Sequence, residues 1–197
     1  MAPIEQHVDS HVAVITLNDG EHGNLLRPEG LEALLAALKS SLDDSRVRAI
    51  LLRSNGPAFC LGMDLGRLAE PAAVHTGTAA EDAVARYADV LQTIFQAPVP
   101  IVCLIEGEVK AGGVGIACAC DIVVAAEHAS FELGEVIFGL IPANVLPYML
   151  ALRVAPQKAR YLVLSSRRIP AVEALRLNLV DEVVSDRDAE RRLREIF

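Results

Sequence analysis

The chain has 197 residues, of which 52% are hydrophobic and 22% charged, with a formal net charge of −8 at pH 7. That length and composition suit one α/β domain, residues 1–197, with a filled core; they exclude a disordered tail, a collagen-like repeat and a disulfide scaffold. Aromatics make up only 4%, with no tryptophan, and the acidic balance argues against nucleic-acid binding through basic grooves and stacking platforms.

The stretch His11–Leu17 (HVAVITL) is a β-branched run of strand length, closed by the turn signal Asn18-Asp19-Gly20. Pro28 suits a first helical turn, and Leu31, Leu34, Leu35, Leu38 and Leu42 then recur at helical spacing. Arg48–Arg53 (RAILLR) reads as a strand of a parallel sheet covered on both faces. A loop at Ser54–Pro57 leads into AFCLGMDLGRL, with Asp64 as N-cap of a following helix. Residues 71–80 read as a loop and 81–97 as a helix. Val99–Ile105 is a third strand and Asp121–Ala126 a fourth, with a Gly turn and a short helix between them. A short strand and turn are expected within Phe131–Phe138, helices at 143–152 and 156–165, another from Pro170, and a charged helical stretch at the end. Strands alternate with helices, as in an α/β fold.

The opening Met1–Asp9 is polar and acidic, unlike a signal peptide. No apolar run reaches the about 18 residues that a membrane-spanning helix needs. Cys60, Cys103, Cys118 and Cys120 have neither C-x-x-C spacing nor a nearby zinc-finger histidine. They read as buried thiols of a cytoplasmic protein, with no metal site expected. The charge is uneven: Arg153, Lys158, Arg160, Arg167 and Arg168 succeed one another with no acidic residue between them. Such a run is either a solvated helix face or a docking patch for a phosphate or an acidic partner.

Three segments could carry chemistry. In Ala111-Gly112-Gly113, glycine permits positive φ and close approach of a ligand to the main chain. A helix beginning there aims unpaired N–H groups and the positive end of its dipole at that ligand, as an oxyanion requires. The spacing A-G-G-V-G is neither G-x-G-x-x-G nor a P-loop, so these glycines are otherwise explained by tight packing. In Phe59–Asp64 (FCLGMD), the N–H groups around Met63 could face a ligand, or the segment is simply a capped helix start. Glu135 sits in FELGEVIFGL; apolar surroundings raise a carboxyl pKa toward the range useful for acid/base work, whereas an exposed loop acid would do nothing.

Together and in this order, FCLGMDL, PIVCLIEGEVKAGGVGIACACDI and ASFELGEVIFGLIPA resemble the crotonase, or enoyl-CoA hydratase/isomerase, superfamily. The resemblance runs from Val12 to Val184. It implies a spiral of ββα units, assembled as a homotrimer or hexamer, with the family's C-terminal helical segment truncated. It implies an acyl thioester substrate, on an acyl carrier protein or coenzyme A, and no separate cofactor. The thioester oxygen would be held by the backbone N–H groups of Met63 and Gly112. Leu61, Gly62, Asp64 and Gly113 would line the substrate, with Lys110 and Arg67 as candidate cations for a substrate carboxylate.

Family hydratases carry two glutamates; the second aligns with Glu135, but the position of the first is Gly115, which has no side chain to move a proton. The Gly-rich stretch usual after the second glutamate is replaced by IPANVLPYML. This combination most resembles the dehydratases of polyketide β-branching, which remove water from a 3-hydroxy-3-methylglutaryl group on a carrier protein. An isomerase, hydratase or decarboxylase, and a non-catalytic thioester-binding subunit, are the alternatives.

Overall fold

The structure, a computed structural model, describes residues 2–64 and 78–197. Strands β1 (Ile4–Asp9) and β2 (Val12–Leu17) form an antiparallel hairpin, and helix α1 (Pro28–Asp43) follows. From there one plan recurs: a long strand, a tight turn, a short strand. β3 (Ala49–Ser54) is followed by β4 (Ala58–Cys60), β5 (Ile101–Ile105) by β6 (Glu108–Lys110), and β7 (Ile122–Ala126) by β8 (Ser130–Glu132). Helix α2 (Thr78–Phe95) separates the first repeat from the second, and α3 (Gly112–Ala119) the second from the third. Helices α4 (Leu146–Leu152) and α5 (Pro156–Ser165), strand β9 (Ile169–Pro170), helix α6 (Ala171–Arg176), strand β10 (Glu182–Val184) and helix α7 (Ala189–Ile196) complete the chain.

The long strands, with the short β10 at one edge, make a six-stranded sheet ordered β1-β2-β3-β5-β7-β10, parallel apart from the hairpin. The short strands make a second sheet, β4-β6-β8-β9. Each repeat thus crosses from one sheet to the other, and successive repeats stack as turns of a spiral. Gly107 marks how closely they stack: a Cβ there would stand 2.3 Å from the carbonyl oxygen of Pro57 in the preceding turn.

Strand alternation divides the large sheet's side chains between two apolar layers. Ile50, Leu52, Ile101, Cys103, Val123 and Ala125 face the main core, with the leucines of α1 and the buried face of α2. Leu51, Val102, Leu104 and Val124 face the other way, where Ala189 and Leu193 of α7 cover them. This double cover is why the middle strands are apolar throughout.

Several strands carry little sequence signal. β1 (IEQHVD) is exposed along most of its length, because an edge strand contributes backbone groups rather than apolar side chains. β6, β9 and β10 are two or three residues long, too short for a periodicity. The helix expected over 143–152 begins at Leu146, with a proline in its first turn.

Candidate active site

Two loops meet where β4 and β6 end. Leu26 pairs with Met63 as a parallel bridge: the Leu26 N–H donates to the Gly62 carbonyl at 2.8 Å, and the Asp64 N–H donates to the Leu26 carbonyl at 3.3 Å. This bridge uses the groups on either side of Met63, so the N–H of Met63 itself points to the opposite side. Among the described residues it has no acceptor. Arg27 clamps the same loop, its Nε donating to Asp64 at 2.8 Å and its Nη1 to Asp19 at 2.7 Å. The helix expected after Asp64, and Arg67 within it, lie outside the described residues.

Gly62 has φ +87°, and a Cβ there would lie 2.9 Å from Ala111 Cβ and 3.4 Å from Gly112 N. Hence the loop bearing Met63 is in contact with the start of α3. Gly112 is the first residue of that fully buried helix, and its N–H has no acceptor among the described residues. Such an unpaired N–H at the positive end of a helix is an anion-stabilising group.

The strain is not where the glycines suggested. Ala111 takes φ 46°, ψ −115°, a conformation that L residues avoid, while neither Gly112 nor Gly113 has positive φ. The two glycines serve close approach instead: a Cβ on Gly113 would stand 2.5 Å from Cys60 O, and one on Gly112 2.8 Å from Leu26 Cδ1.

Glu135 opens a 3-10 turn, Glu135–Phe138, after β8. It is half-buried, and its Oε2 is buried with no hydrogen-bond partner among the described residues. Burial pushes its pKa above the ordinary carboxylate value, against a smaller opposing hydrogen bond from its own backbone. The carboxyl is therefore partly withdrawn from water, although the apolar residues that follow it in the chain, Val136, Ile137 and Phe138, are themselves exposed.

Tyr87 of α2 was not singled out in the sequence. Only 4% exposed, it donates from its hydroxyl to the Gly112 carbonyl at 2.7 Å. Its own pKa is raised well above normal by burial first, then by the neighbouring charges of Cys60, Cys118, Glu135 and Tyr148. Tyr87 is thus bonded to the first residue of α3 and lies within electrostatic reach of Glu135. A signal existed: it shares a helical stripe with Ala83, Val90, Leu91 and Ile94, and a tyrosine on a buried stripe needs a partner for its hydroxyl.

Other candidates have local partners. The Leu61 N–H donates to the Gly23 carbonyl at 3.0 Å, fixing that loop from its other side. Lys110 Nζ lies 3.6 Å from Glu108 and 3.7 Å from Glu132, so two carboxylates on the small sheet already offset its charge. The basic run is divided. Arg153, with 5% of its side chain exposed, donates to Cys120 O and Asp181 and is a structural tie. Arg167 pairs with Glu173, and Arg168 with Glu108. A cleft of about 730 Å³ lies beside the site, lined by Asp19, His22, Leu25, Leu26, Arg27 and Pro57 among others; Met63, Gly112 and Glu135 are not in its wall. All four cysteines are free and buried, and burial pushes the thiols of Cys60 and Cys118 up to about 12. Among the described residues no helix is long and apolar enough to cross a membrane.

Comparison with known proteins bears on this geometry. The family model described as enoyl-CoA hydratase/isomerase matches residues 7–197. A putative enoyl-CoA hydratase of Thermus thermophilus is 36% identical over 88% of this chain and 68% of its own length. The bacillaene synthase dehydratase PksH of Bacillus subtilis is 29% identical over 94% of this chain and 70% of its own. Among solved structures, Pseudomonas aeruginosa AtuE superposes with a TM-score of 0.92 at 35% identity, covering 98% of this chain and 75% of that one.

Proposed function

The chain belongs to the enoyl-CoA hydratase/isomerase family, with the crotonase fold, and we propose that it is a hydro-lyase removing water from a 3-hydroxyacyl thioester with one carboxylate, Glu135. The observation that carries this reading is the half-buried Glu135, its Oε2 unpaired, in a chain that has glycine at position 115. A two-carboxylate mechanism has no second group to draw on there.

The reaction asks three things of the chain. The thioester oxygen accepts from the N–H groups of Met63 and Gly112, which stabilise the enolate as its charge develops. Glu135 takes the proton from the α-carbon, and its raised pKa makes it a better base than an ordinary carboxylate. The protonated Glu135 then gives that proton to the β-hydroxyl on the same face. The C–O bond breaks, the enolate electrons form the Cα–Cβ double bond, and water leaves. One carboxylate suffices because it returns the proton it took.

The acyl group we favour is 3-hydroxy-3-methylglutaryl on an acyl carrier protein. Supporting it are the resemblance to β-branching dehydratases and the 29% identity to PksH. Relatives named enoyl-CoA hydratase support a coenzyme A thioester instead. In either case the cleft beside Leu26 and Arg27 suits the thioester's arm. We further place the protein in the cytoplasm as a homotrimer or hexamer, whose contacts would cover the exposed Ile137, Phe138 and Ile141.

The test is to offer 3-hydroxy-3-methylglutaryl on both carriers and look by mass for loss of one water. No loss on either carrier, or full turnover by Glu135→Gln, overturns the reading. An isomerase is favoured by the same lone carboxylate, since shuttling a proton between Cα and Cγ also needs one group. Offering a β,γ-enoyl thioester in parallel separates the two.

A further inference from the structure

The absence of a side chain at position 115 has a physical cause in helix α2. A Cβ on Gly115 would stand 2.1 Å from the Tyr87 hydroxyl oxygen and 3.0 Å from Val145 Cγ2. No side chain of any kind fits there while Tyr87 keeps its place. The same oxygen donates to the Gly112 carbonyl at 2.7 Å, and a Cβ on Gly112 would be 3.4 Å from it. The hydroxyl therefore fills the ground in front of α3's first turn.

We propose that Tyr87 is a positioning residue for the oxyanion hole: its hydroxyl holds the Gly112 carbonyl, and so the first residue of α3 from which the Gly112 N–H projects, from the space that a first glutamate would need. This rests on the reading that Gly112 binds the thioester oxygen. The mechanics follow from the bonding. The peptide that carries the Gly112 N–H is held on one side, where the Ala111 carbonyl accepts from the Val114 N–H at 2.9 Å, but Gly112 has no side chain to restrain its own φ and ψ. The Tyr87 bond to the buried Gly112 carbonyl at 2.7 Å holds the next peptide, so that Gly112 is fixed from both sides. The hydroxyl stays a donor because burial keeps the phenol un-ionised. Glycine at 115 and tyrosine at 87 are two halves of one arrangement.

The test uses Glu135→Gln protein, so that a bound thioester is not turned over, and cinnamoyl-coenzyme A as the probe. The infrared stretch of the thioester carbonyl reports its polarisation by the two N–H donors. In the parent, binding should lower that frequency relative to free probe. Adding Tyr87→Phe should return most of the shift while changing the dissociation constant less than about threefold. In the Glu135-containing enzyme, Tyr87→Phe should lower kcat by about tenfold or more with KM nearly unchanged. Gly115→Ala, which forces the hydroxyl away, should lose the shift in the same way. Combined with Tyr87→Phe, which removes the obstructing atom, it should add little. A full shift in a folded Tyr87→Phe protein, or in Gly115→Ala, overturns the proposal alone. A parent that binds no thioester, or binds it without any shift, overturns the reading of the site on which the proposal stands.

Discussion

The site has a main-chain half and a side-chain half, and they are built by different means. In the proposed mechanism the main-chain half is two N–H groups, from Met63 and Gly112, that no substitution other than proline deletes. Its geometry comes from a one-residue bridge to Leu26, a clamp by Arg27 and a helix start held by Tyr87. The side-chain half is Glu135 alone, on a 3-10 turn. The contrast teaches that, proline aside, a substitution displaces the first half by degrees, whereas the second is lost at a stroke. Variants should rank accordingly.

The largest effect belongs to Glu135→Gln. Removing the only proton-transfer group of the proposed mechanism should lower kcat by about 10²–10⁴-fold. Binding of a thioester should persist, because both backbone donors remain. Steady-state turnover beside equilibrium binding checks this. Comparable losses in both would mean that the two halves are not separable.

Gly62→Ala comes next and attacks the main-chain half at its closest contact. The position has φ +87°, and the new Cβ would meet Ala111 Cβ at 2.9 Å. Both loops must shift, so the expected loss in kcat is about that of one oxyanion donor, roughly 10²–10³-fold. Arg27→Ala should do less. It removes the hydrogen bonds to Asp64 and Asp19 from a partly exposed clamp, costing about 1 kcal/mol of stability and lowering kcat modestly. A thermal melt and an assay at saturating substrate test it. An Arg27→Ala protein as slow as Gly62→Ala would show that the ion pairs, rather than the backbone bridge, aim Met63.

The two halves also differed in how readily the sequence disclosed them. Glu135 is visible as an acid within a motif of the resemblance, but its burial is not written in its sequence neighbours, since Val136, Ile137 and Phe138 are themselves exposed. Strands β2, β3, β5 and β7 and helices α1, α2 and α5 are legible because each buries an apolar run or a repeating apolar face. The crotonase resemblance drew Met63 and Gly112 from motif order. What presents their N–H groups was hidden, because it consists of contacts between residues far apart in the chain. The bridge Leu26–Met63 leaves no mark on composition. The backbone strain fell on Ala111, where the neighbouring glycines drew attention to themselves. The basic run at 153–168 is harder to read from the sequence. It looks like one surface, but Arg153 is a buried tie and Arg167 and Arg168 pair within the chain.

The smallest effect tests whether the side-chain half is held at a cost to the fold. Burial raises the pKa of Glu135 in the folded chain. A carboxyl raised in this way binds more protons folded than unfolded. Stability therefore falls as pH rises from the unfolded pKa toward the folded one, and the loss is complete above the folded value. Glutamine at 135 does not titrate and escapes that loss. The Glu135→Gln protein should melt above the wild type at pH 7, with the advantage shrinking as pH is lowered. It should vanish below roughly pH 4, where glutamate is protonated in both states. Melting curves of the two proteins across that range give the answer. An advantage that does not depend on pH would assign the gain to packing. No advantage at pH 7 would mean that the buried oxygen is less isolated than its surroundings imply, and that the base and the fold are not in competition at this position.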